Sequence, residues 1–266
     1  MLMSNFHHFI LIIFIAIVLS NCKNPANGSK DEVQTEPEWV SLFNGVDLTG
    51  WQVKIKGQPL GLNWKNTFIV VDSTLSVDYS AYENFDDSFG HIFYKNSYSN
   101  YRLKLQYRFT GEQLEGGENW ANKNSGVMIH CQSPETMELD QSFPVCLEVQ
   151  LLGGLTENEP RSTGNLCTPG THVVMDNKIV TTHCIDSNSD TYYGSEWIDL
   201  ELVVRNDSII SHFIDGKKVI EYSKPVIGGD HNTQIDKDGT PLKEGYISLQ
   251  SESHPVAFKN IMLLEL

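Results

Sequence analysis

An all-β domain, a sandwich or a barrel, is what this sequence predicts, and three observations predict it. Apolar and polar residues alternate with a period of two through much of the chain. Turn dipeptides punctuate that alternation. No apolar stripe of helical period runs for any length.

The elements follow in order. Phe9–Leu19 is an apolar run too short to span a bilayer and suited to the core of an export signal. Leu19-Ser20-Asn21-Cys22 follows it and resembles a bacterial lipobox, which makes 1–21 a signal peptide and Cys22 the lipid-attachment site. Asn21 and an n-region without Lys or Arg depart from that pattern, so an ordinary cleaved signal and an uncleaved anchor stay open. Every option exports the domain, with localisation in the bacterial cell envelope, in the periplasm or on the outer membrane. Residues 22–37 are polar, contain Pro and Gly, and read as a flexible tether. Residues 38–266 show no second linker and form one domain.

Within it, Leu103, Leu105, Tyr107 and Phe109 share one face of a strand, and Arg102, Lys104, Gln106 and Arg108 the other. Ile198, Leu200, Leu202 and Val204 repeat the pattern; Asn206-Asp207 and Asp215-Gly216 then turn the chain through two hairpins. Gly245–Gln250 and Val256–Leu266 supply closing strands.

The net charge of −15 repels phosphate backbones, so nucleic acid is not an expected partner, and contact with a membrane is expected through the lipid alone. With Cys22 assigned to lipid, Cys131, Cys146, Cys167 and Cys184 remain. Export permits disulfides among them, and three pairings are open.

Four separated stretches resemble one family. They are Leu42–Trp51 (LFNGVDLTGW), Asn124–Val127 (NSGV), Glu148–Gln150 (EVQ) and Gly245–Ile261 (GYISLQSESHPVAFKNI). Their order and content are similar to those of the 3-keto-disaccharide hydrolase family, also called DUF1080. The resemblance implies a concanavalin A-like jelly-roll β-sandwich of two antiparallel sheets. It also implies exported enzymes that cleave glycosides already oxidised to a ketone at C3 of the sugar, so the expected partner is carbohydrate in the form of oxidised glycosides. Two positions depart from relatives: Gly153 stands where Asp is common, and His130 where Arg is common.

The residues themselves frame the chemistry. Glycosidases use two carboxyl groups, about 5–5.5 Å apart for retention and about 6.5–9.5 Å for inversion. Glu148, Gln150 and Leu152 share one strand face, and Glu148 alone is acidic, so a two-acid mechanism needs a partner from another strand. A 3-keto sugar relaxes that need, because the ketone acidifies the C2 proton and the aglycone can leave C1 by β-elimination. Such a site needs a base, a stabiliser for the enolate and an acid for the leaving oxygen.

Glu148, His130 and His183 are therefore the expected catalytic residues. Gln150, Arg161, Trp120, His172, Glu252 and His254 are the expected substrate-binding ones. Trp120 lies in a polar, Gly-rich loop and is a stacking candidate, whereas Trp51 and Trp197 begin alternating runs and read as core. His130, His172, His183 and His254, together with Glu148 and Glu252, could also hold a divalent metal that polarises the ketone. No pair of them has a local metal-motif spacing. Two other readings remain: a non-catalytic carbohydrate-binding module, and a glucanase-like hydrolase whose second acid comes from elsewhere in the chain.

Overall fold

The computed structural model describes residues 38–193 and 196–266. The signal peptide, Cys22 and the tether expected from the sequence lie outside them. The described chain contains seventeen strands and four single-turn 3-10 segments, with no α-helix among the described residues. The strands are β1 (Val40–Ser41), β2 (Trp51–Ile55), β3 (Phe68–Val71), β4 (Thr74–Val77), β5 (Gly90–Tyr98), β6 (Asn100–Phe109), β7 (Asn124–Cys131) and β8 (Leu147–Leu152). They continue as β9 (Asn165–Cys167), β10 (Thr171–Met175), β11 (Lys178–Val180), β12 (Cys184–Ile185), β13 (Ile198–Arg205), β14 (Ile209–Ile214), β15 (Lys217–Ile227), β16 (Gly245–Ser251) and β17 (Val256–Glu265).

Two antiparallel sheets stack as a jelly roll. The larger runs β11-β10-β15-β14-β13-β6-β17-β4-β3, with β1 also on β17. The smaller runs β12-β9-β8-β7-β16-β5-β2. The alternation read from the sequence fixes which side chains fill the space between them. From the larger sheet come Leu103, Leu105, Tyr107, Leu200, Leu202, Val204 and Phe258; from the smaller come Ile92, Val127, Ile129, Leu147, Val149, Leu151 and Leu249. All are buried. Each such side chain contributes about 1.5–3 kcal/mol over its exposed state.

Outside the larger sheet the surface is satisfied within itself. Arg102 pairs with Glu201, and Asn260 donates to Gln106 at 2.9 Å. Lys104 stands over Trp39 at 4.1 Å and Lys259 over Trp197 at 4.0 Å. Trp197 thus sits half-buried on this outer face beneath cations, not in the core as its alternating run suggests. Trp51 does pack against the core, and its Nε1 donates to the Leu42 carbonyl at 2.9 Å.

The outer face of the smaller sheet is different. Phe93, Met128 and Cys131 on it pack against Met137 and Cys146 of the segment 132–146, and Glu148 and Gln250 are buried although they face away from the sandwich core. Among the cysteines, Cys167 and Cys184 form a disulfide that ties β9 to edge strand β12, while Cys131 and Cys146 are free and buried.

Candidate active site

The pairing of three strands builds the floor. β7 lies between β8 and β16 and runs antiparallel to both. Gly126 pairs with Gln150 and Met128 with Glu148. On the other side Leu249 pairs with Val127, and one further residue along sets Gln250 opposite Gly126. Side chains alternate across a strand, so Glu148 and Gln150 of β8 share the outer face with Gln250 and the following Glu252. Two short patterns, Glu-x-Gln and Gln-x-Glu, therefore meet across one glycine.

Gly126 is required there. A Cβ added to it would stand 2.7 Å from Glu148 Oε1 and 3.2 Å from Gln250 Oε1. The Asn124-Ser125-Gly126 stretch thus opens the space into which the Glu148 carboxyl folds. Ser125, on the opposite parity, donates its hydroxyl to the Gln250 carbonyl at 2.9 Å and locks the two strands.

Above this floor is a cavity of about 620 Å³ lined by Asn124, Glu148, Gln150, Arg161, Glu252 and the Cys167–Cys184 disulfide. Its rim is aromatic and apolar: Trp120, Phe143, Leu155, His183 and His231. Trp120 is exposed and lies parallel to Phe89, with ring centroids 6.4 Å apart, so one face of the indole is supported. A sugar ring can stack on such a platform.

The electrostatics follow from burial. Glu148 is buried, and no donor reaches its carboxyl among the described residues. Loss of hydration pushes its pKa up to about 8. Glu252 is pushed well above the ordinary carboxylate range, first by burial and then by the Glu148 charge. Among the described residues its Oε2 has no partner, and neither end of the buried Gln250 amide has one. Gln150 is different: Asn165 Nδ2 donates to its Oε1 at 3.2 Å, which turns its NH₂ group toward a ligand.

Of the residues nominated from the sequence, Glu148, Gln150, Trp120, His183, Arg161 and Glu252 line this cavity. Three do not. His130 is fully buried behind the sheet, with Nε2 3.1 Å from the Asn206 carbonyl. A bulge explains this: between the pairs Tyr246–Cys131 and Ser248–Met128, one residue of β16, Ile247, faces two of β7, Ile129 and His130, and His130 takes a φ of 50°. The extra residue reverses the parity that would have carried His130 onto the Glu148 face. His172 sits on β10 of the other sheet, against Gly228 and Gly229. His254 lines an adjoining cavity, beyond Leu155.

Arg161 is largely engaged. Its Nη1 donates to the carbonyls of Asn122 at 2.7 Å and Gly153 at 2.6 Å, and its Nη2 to that of Trp120 at 3.1 Å. The guanidinium pins the Trp120 loop to the end of β8 and has no ion pair among the described residues. Gly153 joins the same clamp; a Cβ there would be 3.0 Å from Lys123 and 3.1 Å from Phe109. The scattering of His130, His172 and His254 also dissolves the ligand set imagined for a metal. Among the described residues no group of three His, Cys, Asp or Glu converges on one point.

Sequence reasoning missed Gln250, Asn124, Phe143 and His231. Gln250 had a signal: it precedes Glu252 by two, the same-face spacing already used for Glu148 and Gln150. His231 had none, because its loop reaches the rim from the other sheet; its ring lies 5.3 Å from that of His183.

A two-sheet jelly roll with a cavity floored by carboxyls and amides and rimmed by an exposed tryptophan defines a carbohydrate-active domain. Residues 38–264 match the 3-keto-alpha-glucoside-1,2-lyase-like domain family, and the chain belongs to it. No curated protein sequence matches the chain. Among solved structures, a "putative glycosyl hydrolase" from Parabacteroides distasonis ATCC 8503 is similar at 18% identity and a TM-score of 0.53, covering 86% of this chain and 100% of that one. A second from the same organism is similar at 20% identity and a TM-score of 0.51, covering 86% and 94%. These likenesses are of fold.

Proposed function

We propose that this protein is an exported enzyme that cleaves 3-keto-glycosides by removing the C2 proton and expelling the aglycone from C1. The observation that carries the reading is the buried pair Glu148 and Glu252, to which no donor comes among the described residues. A conventional glycosidase keeps one carboxylate ionised in a polar, hydrogen-bonded setting. Here burial raises both groups instead. A carboxylate with a pKa near 8 is a far stronger base than an ordinary one, and a carbon acid needs a strong base.

Of the pair, Glu148 ionises first and takes the C2 proton. The C2–H electrons form the C1=C2 bond, and the C1–O bond breaks. Glu252, which stays protonated, gives its proton to the leaving oxygen. The Gln150 NH₂ group donates to the sugar oxygen on which charge develops. Water then adds to the enone at C1 and a proton returns to C2, so the sum is hydrolysis. The family description, a 1,2-lyase acting on 3-keto-alpha-glucosides, supports this chemistry. Trp120 and the apolar rim hold the sugar ring and exclude water.

Export and a lipid anchor at Cys22 belong to the same proposal. The Cys167–Cys184 bridge supports an oxidising compartment. The exposed Trp120 also suits a carbohydrate-binding module without catalysis. Catalysis depends on the Glu148 charge, whereas binding tolerates its amide. With a 3-keto-glucoside as substrate, the wild type turns over and Glu148→Gln loses about a thousandfold while keeping its fold. A wild type that binds the oxidised glycoside and never cleaves it contradicts the enzyme reading.

A further inference from the structure

Beside the cavity that holds Glu148 lies a second, of about 420 Å³, lined by Phe109, Asn122, Lys123, Leu155, Tyr193 and His254, with Thr110, Gly111 and Glu112 at its mouth. Leu155 borders both. The chain connects them directly: Glu252 faces the first, and His254, two residues on, faces the second. Ser253 between them takes a φ of 73°, and its N–H donates to the Tyr79 hydroxyl at 2.9 Å, which fixes the turn.

His254 is 2% exposed, and neither ring nitrogen has a partner among the described residues. Its ring is held edge-on against Phe109, with centroids 5.5 Å apart. A buried imidazole with both nitrogens unpaired stands out, because buried polar atoms are nearly always hydrogen-bonded. The groups around it are cationic. Lys123 Nζ donates to the carbonyls of Gly154 at 3.2 Å and Tyr193 at 3.0 Å. Arg161 is bound to carbonyls as described. Neither meets a carboxylate among the described residues, and both charges bear on His254, whose pKa is lowered to about 4, first by burial. Glu112 is the one acidic group at this cavity, and it is exposed at the mouth. In a chain of net charge −15, a pocket lined by Lys123 and an unpaired imidazole, with Arg161 acting on it from the neighbouring cavity and neither cation in an ion pair among the described residues, is a local reversal of sign.

We propose that this second cavity is a subsite for the sugar on the other side of the scissile bond, and that it selects a sugar bearing a carboxylate, a uronic acid. The proposal rests on the reaction assigned to the first cavity for the word subsite, and on the second cavity alone for the ligand. A disaccharide lying across Leu155 places the oxidised ring over Glu148 and the acidic ring against His254 and Lys123. The carboxylate takes the remaining N–H of Lys123, and an imidazole nitrogen bonds a ring hydroxyl.

Two readouts test it on the full chain. In the first, sodium glucuronate and glucose are titrated separately while the His254 ring signals are followed by NMR; His254→Gln assigns them by their disappearance. Glucuronate is expected to shift them at least about tenfold more tightly than glucose, the gain of one charge-assisted hydrogen bond, and to raise the His254 pKa. Lys123→Gln is expected to erase that difference. Equal affinity for the two sugars, or no shift with glucuronate, overturns the proposal. In the second, kcat/KM is compared for 3-keto-glucosides with glucuronate or glucose as leaving group. The expected ratio favours glucuronate about tenfold and falls toward one in Lys123→Gln. A ratio of one in the wild type overturns the proposal and leaves the reaction standing. If glucuronate shifts His254 and no 3-keto-glycoside is cleaved, the acidic-sugar site stands and the reaction fails.

Discussion

His212 and Glu148 are both buried titratable side chains on strands of this sandwich, and their surroundings are opposite. His212, on β14, points into the core. Its Nδ1–H donates to the Gly164 carbonyl at 2.8 Å, and its Nε2 accepts from the Tyr222 hydroxyl at 3.0 Å. Both nitrogens are used and the tautomer is fixed, so the group is structural. Glu148, on β8, points away from the core. Its neighbours Gln250 and Glu252 carry buried polar atoms without protein partners. A fold that can satisfy His212 so completely has not done so at Glu148. That difference separates polar groups that hold the fold from polar groups held ready for a ligand.

The two clusters also respond to pH in opposite directions. His212 has its pKa lowered to about 4 by burial. The unfolded chain then binds the extra proton first, so the stability it contributes is lost as pH falls from about 6.5 toward 4. Glu148 has its pKa raised to about 8 by burial. The unfolded chain gives up that proton first, so stability is lost as pH rises from about 4.5 toward 8.

The comparison predicts effects of graded size. The largest is on turnover: Glu252→Gln keeps the fold and lowers kcat on a 3-keto-glucoside with a poor alkoxide leaving group by about a hundredfold or more, and by less with a nitrophenolate that needs no proton. Equal losses on both leaving groups break the assignment of Glu252 as acid. Next is His212→Ala, which removes a satisfied core group and destabilises by about 2–4 kcal/mol in denaturant unfolding, with the kcat of the folded fraction unchanged. Gly126→Ala pushes on the Glu148 carboxyl and costs about 1–3 kcal/mol, with a fall in kcat that His212→Ala does not show. The smallest is Trp120→Ala. Loss of the exposed platform raises KM about tenfold and leaves thermal stability nearly unchanged. A large drop in stability there would make Trp120 structural and blunt the contrast.

Much of this was legible in the sequence. The strands at 101–109, 198–205 and 245–250 followed from period-two alternation, because a half-buried antiparallel strand has no other solution for its side chains. Glu148 and Gln150 were placed on one face by the same rule. The rule failed at His130, where a bulge of one residue reversed the parity; a bulge depends on the partner strand and leaves no local mark. Glu252 was read as a substrate contact, and it lines the cavity as its second buried carboxyl, placed beside Glu148 at the end of β16 by strand pairing the sequence does not display. The Cys167–Cys184 pairing and the reach of His231 are likewise products of which strands become neighbours.

Burial without donors among the described residues makes Glu148 a strong base at the expense of stability. Unfolding free energies of the wild type and Glu148→Gln, measured from pH 5 to pH 9 with turnover on the same samples, test it most directly. The wild type is expected to lose stability as pH rises through this range. The Glu148→Gln variant is expected to have a flatter profile, to be more stable at pH 8 by about 2–5 kcal/mol, and to lose turnover about a thousandfold. A variant less stable than the wild type at pH 8, or one that keeps wild-type turnover of the oxidised glycoside, would rule out Glu148 as the buried base.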